Sequence, residues 1–298
     1  MFIVDNEKFL RAELKEPKAE IFSEAIGFTI YSNSRRSVDS FKSVFELLWN
    51  ERILNEDLKR ADIMQRDFIN VAAHELRTPI QPIIGLTDLL QCKKQGDITQ
   101  YSQFIDIINR NAKRLQRLTE DILDVARIES ESLPLRKVQF NLKELILNAI
   151  TDYKSQIKKE LKDNRVRLEF TSRTDNNDDI FVYGDVGRII QVISNLLTNA
   201  IKFTEEGTIT VKLEKRMDNN NKKDQGEVVV VSVRDTGKGI DPAVKDKLFE
   251  KFATKSEKGM GLGLYLSRKI IEAHGGKIWA ENNSDGKGAT FYFSLPFK

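Results

Sequence analysis

Between Ser37 and Pro79 the chain contains no proline or glycine, and Leu47, Leu54, Ala61 and Phe68 recur every seven residues, with Leu58 and Ala72 on the interleaved positions. That repeat predicts a long helix with an apolar seam facing another helix. Gly85 is tolerated, and the stretch 93–97 with Gly96 predicts a loop. A second helix is predicted over about 98–130, where Phe104, Ile108, Ala112, Leu115, Ile122 and Ala126 fall at helical spacing. The two segments form an antiparallel hairpin. A lone hairpin leaves apolar surface open, so two copies are expected to close a four-helix bundle.

The first 36 residues carry short strand-like stretches interrupted by Pro17, with another strand predicted over 26–31. So short a segment buries little core alone and fits a partial sensor or an appendage. Pro134 opens a connector to Phe140, after which Asn141 can cap a helix reaching about Leu161. The period then changes. Strands are predicted at 166–171, 180–183, 208–214, 227–234, 276–281 and 289–295, with helices near 186–203 and 261–273. This is an α/β layered domain. The expected organisation is therefore an appendage over 1–36, a signalling helix over 37–67, a helical hairpin domain over 68–132, a connector over 133–140 and the α/β domain over 141–298.

Composition narrows the chemistry. With 298 residues, 40% hydrophobic and 31% charged, the chain is globular and polar, and 48 Lys plus Arg against 45 Asp plus Glu leave too small a surplus for a nucleic-acid footprint. One cysteine and two histidines exclude a disulfide framework and make zinc chemistry a poor fit. Neither an apolar run long enough to span a membrane nor a signal-peptide layout is present, so the expectation is a soluble, cytoplasmic chain with no direct membrane span.

Four clusters in the second half point to a nucleotide. Asn195 and Asn199 share a helix face at i, i+4, with Lys202 three residues on. Two amide oxygens and an ammonium suit Mg²⁺ and the phosphates it bridges, although a polar stripe on a half-buried helix would look the same. Asp235 ends a β-rich run and is followed by Gly237 and Gly239. A carboxylate there can accept from an adenine amino group while the glycines let the backbone approach the base; the plain alternative is a turn. Gly259, Gly261 and Gly263 open the last long helix, freeing its N–H groups for phosphate. No strand directly precedes this run, so the dinucleotide fingerprint is rejected. Between the two glycine clusters, residues 249–256 form a candidate lid, with Lys255 in reach of phosphate.

In the first helix, His74 is rotated by about 240° from Phe68 and about 200° from Ala72, away from the seam. It should be exposed. A free imidazole has a pKa near ~6.5 and is mostly neutral, hence nucleophilic, at neutral pH. Glu75 beside it is a candidate general base. Pro79 and Pro82 deprive the carbonyls of Glu75 and Thr78 of their helical partners, so a bend is expected just past His74. The second histidine, His274, precedes Gly275 and is adequately explained as a helix C-terminal cap.

Taken together these residues resemble a sensor histidine kinase of a two-component system over about 64–297. A phosphoacceptor box matches at 73–79, an asparagine box at 195–203, a first glycine box at 235–240, a phenylalanine box at 249–252 and a second glycine box at 259–264. The resemblance implies a dimerisation and phosphotransfer hairpin followed by a Bergerat-type ATP-binding domain, a mixed sheet with helices on one face. It implies a homodimer in which His74 attacks the γ-phosphate of ATP and the phosphoryl group passes to an aspartate of a response regulator. Carried over by position, Glu75 is the base, Asn199 with Asn195 holds Mg²⁺, Lys202 meets phosphate and Asp235 reads adenine. Thr290 supports that contact through water, and Phe203, Ile240, Phe252 and Leu262 belong to the ATP-binding boxes. Thr78 with Glu75 resembles the pair that some members use to dephosphorylate their regulator. The chain departs from the family at Ile80-Gln81-Pro82 after the proline, in its short lid, and in Lys255 where many members place an arginine. It ends at Lys298 just past the last predicted strand, so no receiver domain is expected. A mechanical ATPase of the same superfamily needs transducer domains that this length does not hold, and has no use for a His-Glu pair on a hairpin. A scaffold that binds ATP without turnover is the remaining alternative, and phosphotransfer to His74 separates all three.

Overall fold

In a computed structural model, residues 2–4, 9–14, 26–32, 34–92, 98–130, 133–160, 165–173, 179–217, 227–252 and 260–297 are described. The chain divides into two compact units, 1–70 and 71–298.

In the first unit, β1 (Phe2–Val4), β2 (Phe9–Leu14) and β3 (Ile26–Ser32) form an antiparallel sheet in that order. The register is interrupted between Ala12 and Leu14. Helix α1 (Arg35–Cys92) begins here and continues into the second unit. Its predicted seam lies open in the single chain: Leu47, Leu54 and Leu58 are each about 60% exposed. The helix remains unbroken through Pro79 and Pro82.

The second unit holds the rest of α1, then α2 (Ile98–Glu129), tied to it by the Arg114–Glu75 ion pair. The stretch read as a connector in fact contains a strand, β4 (Val138–Asn141), paired antiparallel with β6 (Phe181–Gly184). Asn141 caps α3 (Leu142–Glu160): its Oδ1 accepts from the N–H groups of Lys143 and Glu144 at 3.1 and 3.3 Å. The main sheet is ordered β5 (Val166–Arg173), β7 (Gly207–Met217), β8 (Glu227–Arg234), β10 (Ala289–Pro296) and β9 (Ile278–Asn282). Only the β5–β7 pair is parallel. The sheet is mixed because β6 and α4 (Val186–Phe203) together form the crossover that brings β7 alongside β5 in the same direction.

Alternation decides which sheet face is buried. Leu213, Val231 and Phe293 stand in one cross-strand row and are fully buried, whereas Lys212 and Ser232 point the other way. Onto that buried face α4 lays Ile189, Val192, Ile193, Leu196, Leu197 and Ala200, the stripe of a 3.6-residue period. Helix α3 adds Leu142, Ile146 and Ile150, and α6 (Gly263–Ala273) adds Ile270 and Ile271. Each such aliphatic side chain contributes about 1.5–3 kcal/mol by leaving water. The short helix α5 (Pro242–Lys245) is capped by Asp241.

Two ends of this layer are tied by a histidine. His274 closes α6; its Nδ1 pairs with the carbonyl of Ile270 at 2.7 Å, and its Nε2 accepts from the N–H of Asp185, the N-cap of α4, at 2.9 Å. That assigns one neutral tautomer. Burial, ahead of the charge of Lys137, lowers the pKa of His274. The C-cap reading therefore holds, and the ring also anchors a second helix.

Candidate active site

On the hairpin, His74 is exposed on α1, as its rotation from the seam predicts. Its carbonyl accepts the hydroxyl of Thr78 at 3.0 Å. The next residue turns inward: Glu75 is only 5% exposed and pairs with Arg114 of α2 at 3.0 Å. The structure thus places Glu75 beside His74 in the chain and directs its carboxylate to the other helix. Nothing in the residue pattern singled out Arg114.

The nucleotide motifs converge around the sheet end where β8 and β10 meet α4 and α6. Asp235 is 4% exposed, and its carboxylate accepts from the N–H groups of Gly237 at 2.9 Å and Ala289 at 3.3 Å. Burial raises its pKa, opposed by those N–H groups and by Arg234. Gly237 lies so close to the carbonyl of Phe203 that any Cβ would collide with it, joining the first glycine box to the end of α4. Gly239 has φ +75°, where only glycine is at ease, and Ile240 is buried.

Asn195 and Asn199 are half-buried on the same face of α4. Asn195 donates to Ser267 Oγ of α6 at 3.0 Å and lies against Gly263, where a Cβ would strike its amide oxygen. The asparagine box and the start of α6 are therefore in contact, with glycine required at the joint. Gly261 has φ +66° and Leu262, beside it, is buried. Lys202 is exposed, with Nζ 5.3 Å from the ring centroid of Phe203. Phe252 has φ +65°, unusual for a residue with a side chain. Lys255 and Gly259 lie outside the described residues.

Thr290 is not brought to the carboxylate of Asp235. Its hydroxyl donates to Asn283 Oδ1 at 2.6 Å, and strand alternation puts Ala289, not Thr290, on the Asp235 side. Asn283 and its neighbour Asn282, both hydrogen-bonded to the first glycine box, escaped the residue reading because Asn-Asn-Ser-Asp-Gly reads only as a turn.

Hairpin and sheet are joined by charge. Asp124 of α2, 4% exposed, receives a two-point contact from Arg188 and a hydrogen bond from Gln191 at 3.2 Å, both on α4. Beside it Asp121 is pushed up to about 6 by burial and then by the charges of Asp124 and Glu120. Lys251, in the phenylalanine box, pairs with Glu129 at the end of α2.

Among the described residues no group of three His, Cys, Asp or Glu could hold a metal ion, and no helix is long and apolar enough to cross a membrane. The donor set left for a cation is the amide pair on α4, which fits an ion that shares its ligands with a triphosphate and water.

Comparison with known proteins agrees with this geometry. Residues 64–131 match the His Kinase A (phospho-acceptor) domain, and 184–298 match the histidine kinase-, DNA gyrase B-, and HSP90-like ATPase family. The signal transduction histidine-protein kinase BarA of Escherichia coli strain K12 is 31% identical over 304 residues, covering 97% of this chain and 32% of BarA. The sensor protein GacS of Pseudomonas syringae pv. syringae is 30% identical over 249 residues, covering 82% of this chain and 26% of GacS. The chain thus spans about a quarter to a third of these relatives' length. The solved structure of the Acinetobacter baumannii histidine kinase AdeS shares the fold, with a TM-score of 0.54 at 23% identity over 76% of this chain and 98% of that one. With both domains present in this order, and 97% of this chain aligned with a third of BarA, the chain belongs to the sensor histidine kinases.

Proposed function

We propose that the chain uses ATP to phosphorylate His74 and passes the phosphoryl group to an aspartate in the receiver domain of a response regulator, working as a cytoplasmic homodimer. The observation that carries this reading is an exposed histidine on a hairpin, joined in one chain to a buried carboxylate set between glycine loops. A ring nitrogen of His74 forms the bond to the γ-phosphorus as the bond to the β-bridging oxygen breaks and ADP leaves. The proton on the other ring nitrogen goes to Glu75, once that carboxylate swings from Arg114, or to water. Asp235 receives the adenine amino group. Lys202 and the N-terminus of α6 meet the phosphates, a role that the sequence pattern also gives to Lys255. Asn199 and Asn195 would hold Mg²⁺, which when bound offsets phosphate charge.

The apolar residues exposed on α1, Leu47, Leu54, Leu58, Ile80 and Ile84, support the homodimer, because a hairpin alone leaves them in water.

The test is incubation with γ-labelled ATP and Mg²⁺. An acid-labile, alkali-stable label that disappears in His74→Ala establishes the reaction; ATP binding with no label would leave a scaffold. Phosphatase activity toward the regulator is part of the proposal through Thr78, whose hydroxyl must release the His74 carbonyl to orient water. Thr78→Ala is expected to keep autophosphorylation and to slow regulator dephosphorylation by roughly 10- to 100-fold, read from loss of label on the regulator. Unchanged dephosphorylation would remove Thr78 from that role.

A further inference from the structure

The loop 235–240 is held at both ends by two consecutive asparagines. At its far end Asn282 pairs with both backbone groups of Ile240: Oδ1 accepts the N–H at 2.6 Å and Nδ2 donates to the carbonyl at 2.9 Å, as a neighbouring strand would. At its near end Asn283, 9% exposed, donates from Nδ2 to the carbonyl of Asp235 at 2.8 Å and to that of Lys287 at 2.6 Å. Those two carbonyls fix the amide's orientation, which leaves Oδ1 to accept from Thr290. Gly288, with φ +75°, packs against Asp235 so closely that a Cβ would collide with its carbonyl.

Neither asparagine touches the Asp235 carboxylate. The N–H groups that aim it belong to Gly237, inside the clamped loop, and Ala289, just past the turn that Asn283 closes. The carboxylate's direction is thus set by backbone that these two amides hold. Charged hydrogen bonds weaken steeply when misaligned, so an error of about half an ångström at this support reaches the adenine contact.

We propose that Asn282 and Asn283 are positioning residues for adenine recognition, clamping the two ends of the loop that aims Asp235. The inference rests on the assignment of Asp235 to the adenine amino group.

It is tested by calorimetric binding, on the full chain with Mg²⁺, of ADP and of purine riboside diphosphate, which lacks only the 6-amino group. Wild type should prefer ADP by about 10- to 100-fold. In Asn283→Ala and Asn282→Ala, ADP should weaken by about 10-fold while purine riboside diphosphate changes by less than about 2-fold, so the preference collapses. A merely structural role would weaken both ligands together and preserve the ratio, and a wild-type ratio in the variants overturns the proposal. Asn282 is exposed, so its variant decides the matter should Asn283→Ala fail to fold. A wild type that does not distinguish the two ligands would instead remove the assignment of Asp235 itself, and the clamp's role with it.

Discussion

Asp235 pairs a raised pKa with two backbone N–H donors, an arrangement that holds a carboxylate in place at the expense of its solvation. Asp235→Asn keeps an acceptor oxygen but loses the charge, and should weaken ADP binding by roughly 10- to 100-fold in calorimetry. His274 makes the opposite kind of statement. Its folded pKa is lowered, so the unfolded chain binds the extra proton. Its contribution is fully present above about pH 6.5 and is lost as pH falls below that value. The stability advantage of wild type over His274→Gln, measured by denaturant unfolding, is therefore expected to shrink between pH 7.5 and 5.5. An advantage constant across that range would show that the ring's protonation is not linked to folding.

At the level of elements, the pattern of apolar positions located nearly everything that repeats. Periodicity placed α4 at its observed ends because one buried face runs its full length, and the continuous apolar run Val228 to Val231 marked β8, which is buried on both faces. It missed β4, whose four residues, Val-Gln-Phe-Asn, are too few for alternation to speak and whose pairing with β6 is non-local. Pro79 and Pro82 both lie inside the continuous α1, with Pro79 buried. The glycine and asparagine boxes were legible because phosphate and purine chemistry restrict residue type. Asn283, Arg188 and Asp124 were not, since each acts through a partner between 48 and 64 residues away. The α2–α4 joint has a measurable signature. Asp121 has a folded pKa of about 6, above the ordinary 3.8, so its contribution is present below that ordinary value and is lost as pH rises through 6. Asp121→Asn should raise unfolding stability at pH 8 by on the order of 2 kcal/mol, with about half that gain at pH 5 and little below pH 3.8. A variant no more stable than wild type at pH 8 would mean that Asp121 is better solvated than its neighbours Asp124, Glu120, Arg117 and Gln191 imply.

For the whole molecule, the decisive feature is that one helix of 58 residues carries both the exposed seam and His74. A seven-residue repeat fixes the face presented to a partner helix, and each residue turns the helix by about 100°. Removing one residue between Asn50 and Asp62 therefore leaves His74 on its own stretch of helix but rotates Leu47 and Leu54 against Phe68 and Ala72. If two copies pair along this seam, the deletion cannot satisfy both halves at once. Either the upstream pairing or the geometry around His74 must yield. The expected result is a clear change in autophosphorylation rate, up or down, with dimer mass by light scattering preserved through the hairpin. Removing seven consecutive residues restores the register and should restore the rate. Equal rates for wild type and both deletions would show that α1 does not couple its upstream half to His74, and that the upstream seam serves dimerisation alone.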